Sequence, residues 1–319
     1  MGETGRFRHA GAVAGLAGIA LIWGGSFAAM KVCLDAGLSV GAMLALRFSL
    51  GALGLKVMVR LLGVRLERQA VRDGIVLGLW LTAIFWLQAD GLRFTTTSKS
   101  AFITGLYLVF TPMVSLLWGD RPKPSHALGV LVALFGLLLL VHDPSAALGG
   151  WNRGDFETLL CAVACGVHIA LTTRFAQRSS GWVLALTQVA VVATLSWILT
   201  PLISSEPLAS GSRLGGLQGV SALLRMPPVW ISLAYQALLA TTLAFYLMST
   251  LQRHVNPTEA AILYSLEPVF TALLAVTGWI PGVREHLRPV QWAGAALILA
   301  AMLLAELGPR LLALRAGKR

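Results

Sequence analysis

Residues 93–111, RFTTTSKSAFITGLYLVFT, and residues 253–271, RHVNPTEAAILYSLEPVFT, are two versions of one segment. At an offset of 160 they match at Arg93/Arg253, Ala101/Ala261, Leu106/Leu266, Val109/Val269, Phe110/Phe270 and Thr111/Thr271. Outward from each copy, apolar charge-poor stretches fill the chain at roughly 10–30, 38–59, 74–90, 98–118, 126–142, 155–174, 180–203, 228–250, 258–280 and 288–308. Their lengths lie close to the roughly 17–25 residues that a spanning helix needs. There are ten such stretches, and the second five resemble the first five. Because five is odd, a duplicated five-helix unit enters the membrane the second time in the opposite orientation, which yields an inverted repeat about a midplane axis. The sequence therefore predicts an all-α integral membrane protein of ten transmembrane helices in two inverted five-helix repeats, residues 11–142 and 155–309. Alternating-access transporters are built this way.

Composition agrees. Apolar residues make up 56 % of the chain and charged residues 12 %, against about 45–50 % and about 25 % in a soluble domain. The shorter stretches, 74–90 and 126–142, borrow flanking residues whose long side chains snorkel to the interface. A net charge of +11 would suit a nucleic-acid partner, but no basic face is interleaved with stacking aromatics, which excludes that class. The charge instead reports orientation. With the N-terminus inside, sixteen Lys and Arg fall in inner segments, eight in outer ones, and Arg47 within a helix, which places both termini in the cytoplasm. The bias is strongest at 56–72, so the first loop dominates the orientation.

The run from Ala10 to Met30, after Arg6 and Arg8, is too long for the apolar core of a signal peptide and is read as an uncleaved first helix. Cys33, Cys161 and Cys165 are too few for a disulfide framework. Cys161 and Cys165 share one helical face, but without a second pair or a clustered histidine they read as packing rather than metal ligands. No cofactor is implied. Asp143-Pro144 and Gly149-Gly150 mark a connector between the repeats. In the long segment 204–228, Leu214, Leu217, Val220, Leu223 and Leu224 line either one face of a short interfacial helix or a plain external loop.

Several motifs together carry a family likeness: Trp23-Gly24-Gly25-Ser26-Phe27-Ala28-Ala29-Met30-Lys31 in the first helix, Arg47-Phe48 in the second, and Thr97-Ser98-Lys99-Ser100-Ala101-Phe102-Ile103-Thr104-Gly105-Leu106 with Thr111-Pro112 in the fourth. The ninth adds Pro257-Thr258-Glu259-Ala260-Ala261 and Leu266-Glu267-Pro268-Val269-Phe270, and the tenth Gly294-Ala295-Ala296-Leu297-Ile298-Leu299. From about residue 11 to 309 the chain resembles the EamA-type branch of the drug/metabolite transporter superfamily. The resemblance implies a ten-helix multi-pass carrier of the bacterial inner (plasma) membrane, made of two EamA repeats and exporting amino acids or related metabolites. Its partners would be a small-molecule substrate and the lipid bilayer, with a homodimer left open. The sequence departs from the family at Gly282-Val283-Arg284-Glu285-His286, which sits in a longer stretch with Pro281 where many members have a compact Gly-Glu turn.

Site chemistry is sought where polarity occurs at membrane depth. Arg47 lies mid-helix, where an arginine costs about 2.5–3.5 kcal/mol on insertion scales unless it meets a partner or a watery cavity. It is either a structural anchor and counter-charge or a substrate contact, and its repeat counterpart is Gln188. Glu267 precedes Pro268, which removes a backbone donor and clashes with the carbonyl near Tyr264, so the helix should bend there. A carboxylate at such a break can bind a cation, carry a proton or meet a substrate ammonium, or it can simply pair with Arg47 or a helix dipole. Tyr107 holds the matching place in the first repeat. His168, aligned with Ser26 when Cys165-Gly166 is laid over Trp23-Gly24, is a packing residue or a proton carrier. The expected substrate-binding set is Trp23, Ser26, Arg47, Gln88, Tyr107, His168, Gln188, Tyr246, Tyr264 and Glu267, a lining with aromatic walls and few fixed charges that suits zwitterions or aromatic metabolites.

Lys31 and Asp90, at the outer ends of the first and third helices, read as snorkelling anchors or a gate pair. Glu157 reads as a favourable charge at a helix N-terminus. A lipid-modifying membrane enzyme would need clustered acids, a His with an acid, or a Ser/His/Asp set; none is present, so no enzyme is expected. A sugar-phosphate or nucleotide-sugar antiporter, the nearer alternative, would place several cations in the cavity, and the sequence offers essentially Arg47.

Overall fold

The computed structural model describes residues 3–91, 94, 100, 103–121, 123–140, 152–203, 226–277 and 288–316. The connector between the repeats, the segment 204–225 and the Gly282–His286 corner lie outside them. Among the described residues the regular structure is helical, without strands. The first half holds α1 (Glu3–Asp35), α2 (Val40–Leu61), α3 (Arg68–Gly91), α4 (Tyr107–Leu116) and α5 (Pro124–Leu140). The second holds α6 (Arg153–Ala176), α7 (Gly181–Ile203), α8 (Pro227–His254), α9 (Pro257–Tyr264), α10 (Glu267–Thr277) and α11 (Pro289–Ala316).

Six of these helices, α1, α2, α3, α6, α7 and α8, are long and apolar enough to cross a membrane; Ile103–Leu116, Pro124–Leu139 and Pro289–Leu304 form shorter apolar helices. Of the ten expected stretches, the fourth and the ninth are interrupted, the ninth at the bend that Glu267-Pro268 led the sequence to expect. The ninth stops at Tyr264, turns through Ser265 and Leu266 and restarts at Glu267, as the missing donor of Pro268 requires. The fourth turns at Leu106 and continues from Tyr107, the same place in the repeat although residue 108 is leucine.

Local chemistry sets the other ends. At Gly63, whose φ is +61°, α2 closes with Val64 N–H donating to Val59 O (3.0 Å) and Gly63 N–H to Arg60 O (3.2 Å), a left-handed cap that a side chain would strain. Asn152 opens α6 with a reciprocal capping box: its side chain accepts from Asp155 N–H (3.0 Å) and its own N–H donates to Asp155 Oδ2 (2.9 Å). Asn256 opens α9 by accepting from Glu259 N–H at 2.9 Å.

Contacts between the halves fix helix directions. α1 runs against α8, with Gly15 facing Leu251, Tyr235 donating to Ile22 O (2.8 Å) and Cys33 beside Val229. α3 runs against α6, through Asp73 with Arg178, Ile84 with Cys161 and Gly91 with Thr158. α2 runs against α7 (Gly41 at Thr200, Ser49 at Trp197) and alongside α8 (Arg47 at Gln236, Gly54 at Thr242), while α3 runs alongside α7 (Gly74 at Thr187, Gly78 at Val191). Followed round the bundle, α6, α7 and α8 point opposite to α1, α2 and α3.

Glycines make these approaches close. A Cβ on Gly24 of α1 would lie 3.0 Å from Thr271 N and 3.1 Å from Phe270 Cβ; one on Gly166 of α6 would lie 2.7 Å from Phe110 Cβ and 3.0 Å from Thr111 N. The two glycines correspond, and so do the two Phe-Thr pairs they abut. Without a hydrophobic drive between helices in lipid, such backbone contact is what holds a bundle together.

Candidate functional site

Both halves wall one cavity of about 110 Å³. From the first half come Trp23, Ser26 and Met30 on α1, Arg47 on α2, Leu81, Ile84, Phe85 and Gln88 on α3, and Thr104 and Tyr107 around the Leu106 turn. The second half brings Cys165, His168 and Ile169 on α6, Phe245 and Met248 on α8, Tyr264 at the end of α9 and Glu267 at the start of α10. The two broken helices therefore meet the cavity at their breaks, where irregular backbone at membrane depth is tolerated because it faces protein or a cavity.

Arg47 is 1 % exposed and its guanidinium is held on several sides. Nε donates to Thr241 Oγ1 at 3.0 Å, Nη1 to Gln236 Oε1 at 3.4 Å and Nη2 to Ala240 O at 3.5 Å. Phe48 and Phe85 cover it at 5.2 and 4.9 Å from the ring centroids, a desolvated cation–π arrangement. All three acceptors lie on a nine-residue π-helical stretch of α8, Tyr235–Leu243. Such stretches are rare and loosen the ladder, and Ala240 O also accepts from Trp23 Nε1 at 3.0 Å.

Trp23, Phe245 and Tyr264 pack together, with centroids of Trp23 to Phe245 at 5.8 Å and to Tyr264 at 5.4 Å. Behind them Tyr264 OH donates to Gln252 Oε1 (2.9 Å), and Gln252 Nε2 donates to Ile169 O (2.7 Å) and Thr173 Oγ1 (2.8 Å). This buried latch ties α6, α8 and α9 together. His168 Nε2 lies 2.9 Å from Gln188 Oε1, and Gln188 Nε2 donates to Ser249 Oγ at 3.0 Å. Because an amide oxygen only accepts, His168 carries its proton on Nε2 and leaves Nδ1 as an acceptor.

Farther out, Arg178 forks onto buried Asp73 (2.9 and 2.6 Å), which also accepts from Ser179 Oγ and Gln69 Nε2. At the opposite ends of the same helices Arg153 bridges Asp90 at 2.9 Å and Glu157 at 2.6 Å. Asp90 and Glu157 thus take part in a link between the halves, which the separate roles expected of them did not include.

A family model for EamA-like transporters matches residues 10–142 and again 152–307. The chain belongs to the EamA-like transporter family. It is also 30 % identical over 294 residues to a protein named as an uncharacterized transporter in Archaeoglobus fulgidus, covering 92 % of this chain and 85 % of that one. A solved crystal structure shares the fold at a TM-score of 0.72 and 20 % identity, over 95 % of this chain and 99 % of the other.

In this EamA-like transporter, Trp23, Ser26, Arg47, Gln88, Tyr107, His168, Tyr264 and Glu267 reach the cavity, whereas two residues of the expected set do not. Gln188 is wholly buried between His168 and Ser249, and Tyr246 stacks on Trp182 at 3.7 Å. Phe245, Met248, Met30 and Phe85 were missed. Spacing carried a signal for two of them: Met30 follows Ser26 by four, and Phe85 precedes Gln88 by three, so each pair shares a helical face. Phe245 carried none, since one residue's step around a helix separates it from Tyr246.

Proposed function

We propose that this EamA-like transporter is a ten-helix secondary carrier exporting amino acids or related small metabolites by alternating access. Its two five-helix repeats, residues 11–142 and 155–309, sit inverted in a bacterial inner membrane with both termini cytoplasmic. The observation that carries the proposal is a cavity walled by both oppositely running halves and entered by two broken helices. Carriers of this architecture hold substrate at the repeat interface near the bilayer midplane, on discontinuous helices. The site residues proposed are Trp23, Ser26, Gln88, Tyr107, His168, Tyr264 and Glu267 at the cavity wall, with Arg47 and Gln188 supporting it.

Counterflow in proteoliposomes tests this, using labelled amino acids, purines and sugar phosphates with and without a pH gradient. Selective exchange of amino acids is the expected result. Exchange confined to phosphorylated solutes would replace it with an anion antiporter, and no exchange of any solute would overturn the carrier.

A further inference from the structure

We propose that the cavity selects substrates by a cationic nitrogen, an ammonium or a related group, seated against the Glu267 carboxylate and the faces of Trp23 and Tyr264. The inference rests on the carrier reading above and concerns which end of a small metabolite the protein grips.

The cavity's two charges are not equally available. Arg47 is 1 % exposed, gives three of its donors to α8 and has the Phe48 and Phe85 rings packed against one side of its guanidinium. An incoming anion would have to compete with partners already in place. Glu267 is only half-buried and lines the cavity, and its carboxylate takes no hydrogen bond from any described residue. As the first residue of α10 it lies where the helix dipole favours negative charge.

The groups beside it point the same way. His168 presents Nδ1 as an acceptor because Gln188 holds its Nε2 proton. The rings of Trp23 and Tyr264, with centroids 5.4 Å apart, both line the cavity, and such rings attract positive charge through their quadrupoles, most strongly where water is excluded. A carboxylate or phosphate without a positive partner would meet Glu267, a lone pair and π faces, all repulsive. Arg47 and Glu267 line the same cavity, so a zwitterion keeps it neutral, its acid end turned toward the arginine. The nitrogen is the end held by contact.

The test uses three ligands of one aryl skeleton: phenylalanine, phenethylamine, which lacks the carboxylate, and 3-phenylpropionate, which lacks the ammonium. Each is titrated against the detergent-purified full chain by thermal shift and used to compete with whichever amino acid exchanges in proteoliposomes. Phenylalanine and phenethylamine should bind and compete, and 3-phenylpropionate should not. Glu267→Gln should weaken the amine by about 10- to 100-fold, the range for losing one charge-assisted contact, while Glu267→Asp retains part of the binding. Equal response to amine and acid, no response to the amine, or an unchanged amine affinity in a Glu267→Gln protein that melts like the parent would overturn the proposal. Exchange that ignores the ammonium sinks this inference and leaves the carrier standing; binding without exchange of any solute does the reverse.

Discussion

Arg47 is the residue on which the cavity's geometry turns. Its three acceptors sit on the π-helical stretch of α8, so the side chain joins the second helix of one half to the third of the other. Arg47→Ala strands buried Gln236 and Thr241 and should abolish transport with a loss of roughly 1–3 kcal/mol, the range for buried polar groups left without a partner. Arg47→Lys keeps the charge but not the fork and should retain part of the activity, which exchange assays and thermal unfolding of the two variants would measure. Equal activity in all three forms would remove Arg47 from the working site. The sequence showed that Arg47 needs a partner or a watery cavity at membrane depth, and polarity within the family-like motifs pointed to Trp23, Ser26 and Glu267. It gave no sign of Gln236 or the Ala240 carbonyl, because partners 189 and 193 residues away leave no local pattern. Tyr246 failed for a related reason: polarity drew attention to it, while rotation by one residue put Phe245 at the wall.

At the scale of elements, the close approaches depend on glycine. Gly166→Val puts a branched side chain where even a Cβ would stand 2.7 Å from Phe110 Cβ and 3.0 Å from backbone. We expect a loss of about 1–3 kcal/mol from overpacking and impaired transport, while the same change at Gly18, whose Cβ would meet nothing within 4 Å, should be mild. Comparable melting temperatures for the two variants would contradict the packing account. Hydrophobic stretches revealed where the helices lie, since burial in lipid demands an apolar surface along the whole length. Hydropathy is blind to the interruption at Leu106, because a turn of apolar residues reads the same as a helix. Pro268 made the matching break at Ser265 and Leu266 legible, by removing a donor that the unbroken helix would need.

Across the whole molecule, the ends of α3 and α6 are clamped by charge. Asp73 is the buried member of the stronger clamp, receiving Arg178, Ser179 and Gln69. The hydrogen bonds that Arg178 donates to the Asp73 carboxylate raise its guanidinium above its usual value, against an opposing effect of burial. Asp73→Ala should cost about 1–3 kcal/mol, the range for donors left without an acceptor, with the loss tempered because Arg178 is half-exposed. Thermal unfolding in detergent would detect it, and no change would mean the clamp is ornamental. Repetition in the sequence announced two halves of five segments, but not that the strongest polar links would run from one half to the other. Pairs so distant in the chain leave no local pattern. They do leave a delay. Asp73 and Arg178 are 105 residues apart, and at about 5–20 residues per second of synthesis the aspartate waits roughly 5–20 s after it is made before its arginine exists. For that interval the first half stands at the membrane with Gln69 alone answering its acid and with its glycine faces uncovered until the second half arrives.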